Sequence, residues 1–256
     1  DDAPCSHDCP AGTDPGKFIR SIRDKNFKGA ARTIRNNNIL GASCAEICPR
    51  ERLCEKACSR CGIDRPIQIG RLQAFAMDQE KIFKMKTLEA AASNGKKVLC
   101  IGAGPSSLSV AAELAKMGCD VTIVDENEKA GGLLRYGITP SRLSDEVIDQ
   151  DIDAVKSLGV KFEMNKRIEK KDLAGVSSQY DAVFVGIGLS ASKMIPNLAG
   201  SDLKGCTTAL AFLKDARKNG GKIDKLGRVV IIGGGDVAMD CASTAKQIGA
   251  DSIYVS

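Results

Sequence analysis

The chain has 256 residues, of which 43% are apolar and 4% aromatic, with no Trp and a net charge of +5. That length and apolar share favour a folded protein with one large or two modest hydrophobic cores. The scarcity of aromatics argues against a base-stacking nucleic-acid surface, and no run approaches the roughly 20 apolar residues that span a bilayer. Neither nucleic acid nor a membrane is an expected partner. The opening DDAPCSHDCP has neither a basic leader nor an apolar run, so no export signal is expected and the expected location is cytoplasmic.

Charge and cysteine are both concentrated near the start. Residues 1–88 hold 16 Lys/Arg against 11 Asp/Glu, whereas residues 89–256 hold 21 of each. Seven of the 11 cysteines fall within the first 61 residues: Cys5, Cys9, Cys44, Cys48, Cys54, Cys58 and Cys61. The remaining four, Cys100, Cys119, Cys206 and Cys241, stand alone among apolar neighbours and read as buried free thiols.

Along the chain, Asp14 and Pro15 open a short helix whose stripe is Phe18, Ile19 and Ile22. FKGAARTIRNNN gives a second, with Phe27, Ala30, Ala31 and Ile34 on one face. Another short helix is expected over Arg50–Ala57 and a longer one over Gly70–Leu88. Residues 1–88 therefore read as a small helical domain with a modest core, of the kind that metal binding can hold together.

From Lys96 the texture changes. KKVLCIGAGPSSLSVAAELAKMGCDVTIVDE reads strand, glycine turn, helix, strand, and a loop, a helix, a strand and the apolar strand YDAVFVGIG follow. GRVVIIGGGDVAMDCASTAKQIGADSIYVS then repeats the opening pattern, which argues for two dinucleotide-binding units. The expected fold is a helical domain followed by an α/β Rossmann-like pair. Its expected units are residues 1–88, residues 89–200 and residues 201–256, the last being the start of a second nucleotide domain. Because that second unit stops after its second strand, a fragment of a longer chain is expected.

In the first glycine loop, Gly102 permits the tight turn and Gly104 lets backbone approach a pyrophosphate at a helix N-terminus. Ser107 takes the third position, and Asp125, 23 residues after Gly102, can accept hydrogen bonds from a ribose. The second loop has Gly233, Gly235 and Ala238 in the same places, with Ser256 at the offset of Asp125, so NAD and NADP are not distinguished. Two such units suggest a flavoprotein that takes hydride from a nicotinamide. His7, the single histidine, sits in a polar N-terminal loop and reads as incidental, so no Ser-His-Asp arrangement is expected and no side chain is assigned a catalytic role.

The early cysteines have several possible uses. Disulfide stapling fits badly with a nucleotide-binding chain lacking an export signal. Zinc draws on close CxxC pairs, and Cys58–Cys61 is the single one here. The repeated spacing is C-x₃-C-P, at Cys5/Cys9 and again at Cys44/Cys48, which is nearer to an iron–sulfur run. Iron–sulfur is favoured, with zinc and unligated thiols left open.

CSHDCPAGTDPGKFIRSI, NFKGAARTIRNNN, CAEICPRERLCEKACSR, PIQIGRLQAF, GGLLRYGI, YDAVFVGIG and GGGDVAMD together resemble the glutamate synthase small-subunit family. Within it the chain is most similar to the FAD/iron–sulfur subunits of bacterial NAD-dependent dihydropyrimidine dehydrogenases. The resemblance covers essentially the whole chain. It implies two [4Fe–4S] clusters, then FAD, then NAD or NADP. It places Cys5 and Cys58 on one cluster, with two cysteines from before Asp1, and Cys9, Cys48, Cys54 and the amide of Gln73 on the other. Cys44 and Cys61 are left as non-ligands. Gly131, Gly132, Leu133 and Gly188 join the flavin site, and hydride is expected to arrive near Gly131–Ile138. The implied partner is a reductase subunit carrying a second flavin, with a glutamate synthase large subunit as the alternative. A zinc-stabilised nucleotide-binding assembly protein is the alternative from another class. Three departures stand out: the upstream cysteine pair is absent, Ser107 replaces the family's glycine, and the segment that closes the FAD domain is absent. From these, neither a complete first cluster nor normal flavin binding is expected of this stretch alone.

Overall fold

A computed structural model describes residues 3–189, 192, 194, 195, 198–220 and 226–256. Among these, the first unit is built from α1 (Pro4–His7), α2 (Pro15–Arg23), α3 (Phe27–Asn37), α4 (Gly41–Ile47) and α5 (Ile69–Ile82). Asp14 Oδ1 accepts the Lys17 N–H at 2.9 Å and starts α2, as its position before Pro15 leads one to expect. Asn26 does the same for α3 through Gly29 N, also at 2.9 Å. Their apolar stripes meet in a core of Phe18, Ala30, Ala31, Ile34, Ala42, Ile69, Ala76 and Met77. A Cβ on Gly41 would lie 2.5 Å from Ile34 Cγ2, so glycine there lets α4 sit directly on α3.

Two expected helices differ. Over Arg50–Ala57 only a 3₁₀ turn forms, Arg50–Arg52, and the chain then wraps in turns. Arg50 is responsible in part: its carbonyl accepts from both Leu53 N and Glu55 N, while its guanidinium donates to the Ala45 carbonyl at 2.5 Å. The helix expected over Gly70–Leu88 ends at Ile82. Lys84 adopts left-handed geometry, at φ 46°, and Met85 N returns to the Glu80 carbonyl at 2.9 Å. Leu88 is then free to join the core of the following unit.

That unit runs β1 (Lys97–Ile101), α6 (Pro105–Lys116), β2 (Asp120–Val124), α7 (Leu133–Tyr136), α8 (Asp145–Lys156), β3 (Lys161–Glu163), α9 (Leu173–Ser177) and β4 (Ala182–Val185). The strands are parallel in the order β3-β2-β1-β4, with Val98 opposite both Val121 and Ala182. Buried on both faces, β1 reads as the continuous apolar run VLCI. Chain order reverses between β1 and β4, which creates a crevice at the carboxyl ends of those strands. Beyond it come α10 (Ala209–Lys218), β5 (Arg228–Ile231), α11 (Asp236–Ile248) and β6 (Ser252–Val255), with β5 and β6 parallel. Arg142 Nη1–Asp240 Oδ2 at 2.8 Å and Arg217 Nη2–Asp145 Oδ1 at 2.5 Å tie this last part to the first sheet's helices.

Cys100 and Cys241 are buried, as expected, but Cys119 is only half-buried and Cys206 is exposed, held by a bond to the Gly200 carbonyl at 3.3 Å. Cys206 lies in a turn ahead of α10 rather than in an element with an inner face.

The helical unit and the sheet unit meet at α4 and α8. Arg35 is fully buried there; its Nε and Nη2 donate to Glu80 Oε2 at 3.0 and 2.7 Å, and its Nη1 donates to Asp151 and to the Ile39 carbonyl. Burial disfavours its charge, but Asp151 and Glu80 more than reverse that and raise its pKa. Arg35→Met leaves two carboxylates unpaired in the interior and is expected to destabilise the protein by about 3–5 kcal/mol. Urea denaturation measures it, and a change below about 1 kcal/mol would contradict this account.

Candidate functional site

Two glycine loops with matching backbone stand at the sheet ends. Gly104 and Gly235 each precede a helix with φ −83° and ψ 179°, presenting the first turns of α6 and α11. Gly102 has φ 97°, and a Cβ there would lie 2.4 Å from the Gly186 carbonyl oxygen just past β4. Gly132, at φ 53°, is equally constrained, since its Cβ would lie 2.7 Å from Gly104 Cα. Gly102, Gly104, Gly131 and Gly132 are thus brought together by loops at the switch point between β1 and β4, and Gly188 follows two residues after Gly186. Leu133 opens α7 beside them and is 44% exposed. Among the described residues, no atom lies within 4 Å of the places where Cβ atoms would stand in the second loop, Gly233 to Gly235, and Ala238 is buried on the inner side of α11.

Asp125 has work inside the fold. Its Oδ2 accepts the Ala103 N–H at 2.7 Å, and its Oδ1 accepts both Asn127 N and Asn127 Nδ2 at 2.8 Å. Oδ1 is saturated; Oδ2 keeps one lone pair for a further donor. Ser107 is fully buried, its hydroxyl has no partner among the described residues, and a Cβ on Gly186 would lie 2.2 Å from its Oγ. Gly186 is the space that lets a serine occupy this position.

Gly131 and Gly132 are fixed from below by Arg135, which is 2% exposed. Its Nε donates to the Ala130 carbonyl at 2.7 Å, Nη1 to Asp145 at 2.6 Å, and Nη2 to Asp149. Burial alone would raise the Asp145 pKa, but Arg217 and Arg135 outweigh it and hold the carboxyl below its ordinary value. A hollow of ≈ 400 Å³ lies not at the glycine loops but between Thr139, Asp145, Arg217 and Thr244.

The cysteines form two sets of interacting thiols. Cys58 acts electrostatically on Cys5, whereas Cys9 acts on Cys44, Cys48 and Cys54, and Cys48 acts on Cys44 and Cys54. Burial first, and then repulsion from Cys48, pushes Cys44 up to about 12. Burial, Cys48 and Cys9 push Cys54 up to about 11. Cys5 and Cys48 are raised as well, again chiefly by burial. A bound cation reverses this by favouring thiolates, so the donor set suits a metal centre. Gln73 is 6% exposed, hydrogen-bonds Cys44, and donates Nε2 to the Gly41 carbonyl at 2.7 Å, which puts it in the second set. Cys61 lies outside both sets, exposed, with its Sγ on the Glu55 carbonyl at 3.4 Å. Among the described residues, no three His, Cys, Asp or Glu side chains group as ligands of one ion. Zinc holds sulfur at about 2.3 Å, so its thiolates must crowd one point. Four-iron clusters take their cysteines at separate irons and suit wider spacing.

Arg35, Arg135, Asp151 and Gly186 escaped the sequence reading. A signal for Asp151 existed: Ile148, Asp151, Ile152 and Val155 are all buried at i, i+3, i+4 and i+7, so a carboxylate sits in an apolar stripe.

Two parallel sheets, each bearing one glycine–helix turn, joined to a helical unit holding grouped thiols, define a dinucleotide-binding redox protein. Residues 68–200 and 146–256 match the model for pyridine nucleotide-disulphide oxidoreductases, and the chain belongs to that family. Residues 1–85 match the model described as dihydropyrimidine dehydrogenase domain II, 4Fe-4S cluster. Among curated relatives, the NAD-dependent dihydropyrimidine dehydrogenase subunit PreT of Salmonella typhimurium is 45% identical over 98% of this chain and 61% of its own length. Its namesake from Escherichia coli O157:H7 is 46% identical over the same shares. The chain thus spans about 61% of the length of these relatives. In fold it is similar to 6-hydroxypseudooxynicotine amine oxidase of Pseudomonas geniculata N1 (TM-score 0.52, 20% identity, 99% of this chain, 35% of that one). It is similar also to Mycobacterium tuberculosis FprA in complex with NADPH (TM-score 0.50, 20% identity, 62% of this chain, 42% of that one). Among the described residues, no helix is long and apolar enough to cross a membrane.

Because Ser107 Oγ has no partner, Ser107→Ala is expected to leave stability unchanged or raise it by about 1 kcal/mol. Gly186→Ala should destabilise, and by less in the Ser107→Ala background. A double-mutant cycle by thermal or urea unfolding checks this, with a coupling of about 0.5–3 kcal/mol expected and strict additivity refuting the contact.

Proposed function

We propose that this chain is the electron-input part of an oxidoreductase, taking electrons from NAD or NADP in reduced form and handing them to a partner subunit. That partner carries a second flavin and reduces pyrimidines in the cytoplasm. The observation that carries the reading is the pairing, across one seam, of a grouped-thiol helical unit with a dinucleotide crevice. Relatives named as subunits of a dihydropyrimidine dehydrogenase, spanning more chain than this one, support the choice of substrate class.

Residues 1–88 would hold [4Fe–4S] clusters, residues 89–200 FAD, and residues 201–256 the beginning of the nicotinamide site. When bound, these groups supply hydride acceptance and single-electron relay. The chain's own residues bind and orient. Gly102, Gly104, Gly131, Gly132 and Gly188 keep backbone bare where a pyrophosphate must come close, and α6 directs N–H groups at it. Asp125 fixes the loop through Ala103 N and offers its remaining lone pair to a ribose. Leu133 supplies exposed apolar surface beside the loop. Gly233, Gly235 and Ala238 repeat this role for the second nucleotide. Cys5 and Cys58 would serve one cluster with sulfurs from outside this stretch, and Cys9, Cys48, Cys54 and Gln73 the other. Cys44 lies in the same thiol set as these and is assigned as a neighbour, not a ligand. No side chain is assigned a proton-transfer role.

Iron, zinc and acid-labile sulfide in the anaerobically purified full-length protein test the reading. Iron with matching sulfide is expected, lost in Cys48→Ser and Cys54→Ser but kept in Cys44→Ser. Zinc without sulfide would overturn the electron-transfer role. Failure of a co-expressed pyrimidine-reducing partner to co-purify would overturn the assignment of substrate.

A further inference from the structure

We infer that Asp151 is a positioning residue that, through α8, locks the cysteine-bearing helix α4 to the loop at Gly131–Tyr136, an inference that rests on the electron-transfer reading above.

Helix α4 carries Cys44, runs into Cys48, and has no side-chain cap of its own, since Leu40 stands at its start. Its first N–H groups are orphan donors that need acceptors. Asp151, 1% exposed, provides them from the other unit: Oδ1 accepts Ala42 N at 3.1 Å and Oδ2 accepts Ser43 N at 2.8 Å. A carboxylate at the positive end of a helix is favourable on electrostatic grounds as well. Helix α5, which carries Gln73, is held by the same segment, because Gln150 Nε2 donates to the Met77 carbonyl at 2.7 Å. Gln73 in turn donates to the Gly41 carbonyl at 2.7 Å, so α4 and α5 are bonded to each other as well as to α8.

The other end of α8 grips the glycine loop. Asp145 and Asp149 take the Nη1 and Nη2 of Arg135, and the Arg135 Cβ would lie 3.1 Å from a Cβ on Gly131. From Asp145 to Asp151 is about 9 Å along the helix axis. One rigid helix therefore fixes the loop beside the dinucleotide crevice and the helix beside the thiols at a set distance. Ion pairing with Arg35 does not account for Asp151 by itself. Arg35 already has Glu80 on Nε and Nη2, and both Asp151 oxygens are additionally spent on α4 amides.

Hydrogen exchange on the unmutated, iron-free chain is the first test and needs no cofactor. The Ala42 and Ser43 amides are expected to exchange through the same opening as Ile152 and Val155. Exchange with α2 and α3 while α8 stays protected would overturn the proposal. The second test uses the anaerobically loaded full-length protein. Asp151→Asn is expected to lower the unfolding temperature, because buried Arg35 loses a charged partner. It is also expected to release iron to a chelator about 10–100-fold faster, while flavin content per folded chain is little changed. Asp151→Glu should recover part of that loss. Equal loss of flavin and iron per folded chain would mark a purely structural role and overturn the positioning claim. Should Asp151→Asn fail to fold, hydrogen exchange decides. Should the unmutated protein bind no iron, the electron-transfer reading fails while hydrogen exchange still decides the role of Asp151.

Discussion

A guanidinium with no solvent exposure must be matched by charge and hydrogen bonds, or the surrounding fold cannot persist. Arg35 imposes that condition on three segments at once: its own helix α3, Glu80 at the end of α5, and Asp151 in α8. Thr87 Oγ1 donates to Glu80 Oε1 at 2.6 Å, so the irregular run after α5 is drawn into the same network. The two units consequently do not meet as a polar surface pair free to swing. Ile39 and Leu88, from the helical side and the connection, lie in the same apolar cluster as Val98, Cys100 and Ile152. Val147 packs against the cores of both units. Charge sets the register of the seam, and apolar burial supplies most of its adhesion.

The glycine crevice shows how a departure from a pattern is absorbed. A serine at the third loop position adds an oxygen between helix and strand, where close approach is needed. Gly186 provides the missing volume on the strand side, and the hydroxyl is left with no partner among the described residues. The cost falls on hydrogen bonding rather than on packing, so the loop geometry stays intact. Gly104 holds the same φ and ψ as Gly235, whose loop has alanine at that third place.

Much of this was legible because it is local. The strand–glycine–helix–strand runs carry their own periodicity, and Asp14 with Pro15 announces a helix start without reference to anything distant. What escaped was decided by partners far along the chain. The helix expected through Leu88 stops at Ile82 because Leu88 gains more from the second core than from another helical turn. Arg50–Ala57 has the composition of a helix, but Arg50 is drawn to the Ala45 carbonyl and Glu55 to Gly70 N at 3.1 Å. The glycine at position 70 is part of that arrangement, since a Cβ there would lie 2.2 Å from Arg50 Cδ. For the thiols, spacing alone favoured the C-x₃-C-P repeat, and the structure places Cys9 and Cys48, from the two copies of that repeat, in one set. Spacing within a segment cannot foretell which distant segments will share a site.

These contacts bear on how a thiol site exists before any metal arrives. Small metal-binding units commonly fold only with their metal, because bare thiols and a modest core do not offset chain entropy. Here the thiols do resist ionisation, with Cys44 and Cys54 pushed up to about 12 and about 11. Yet the scaffold does not rest on them. Cys5 and Cys54 pack at the margin of a core built from Phe18, Ile34, Ile69 and Met77, and α4 begins on a carboxylate supplied by another unit. The sulfur positions on α4 are thus set by hydrogen bonds from across the seam. The start of α4 and its approach to the glycine loop are fixed by hydrogen bonds through α8 rather than by the thiols.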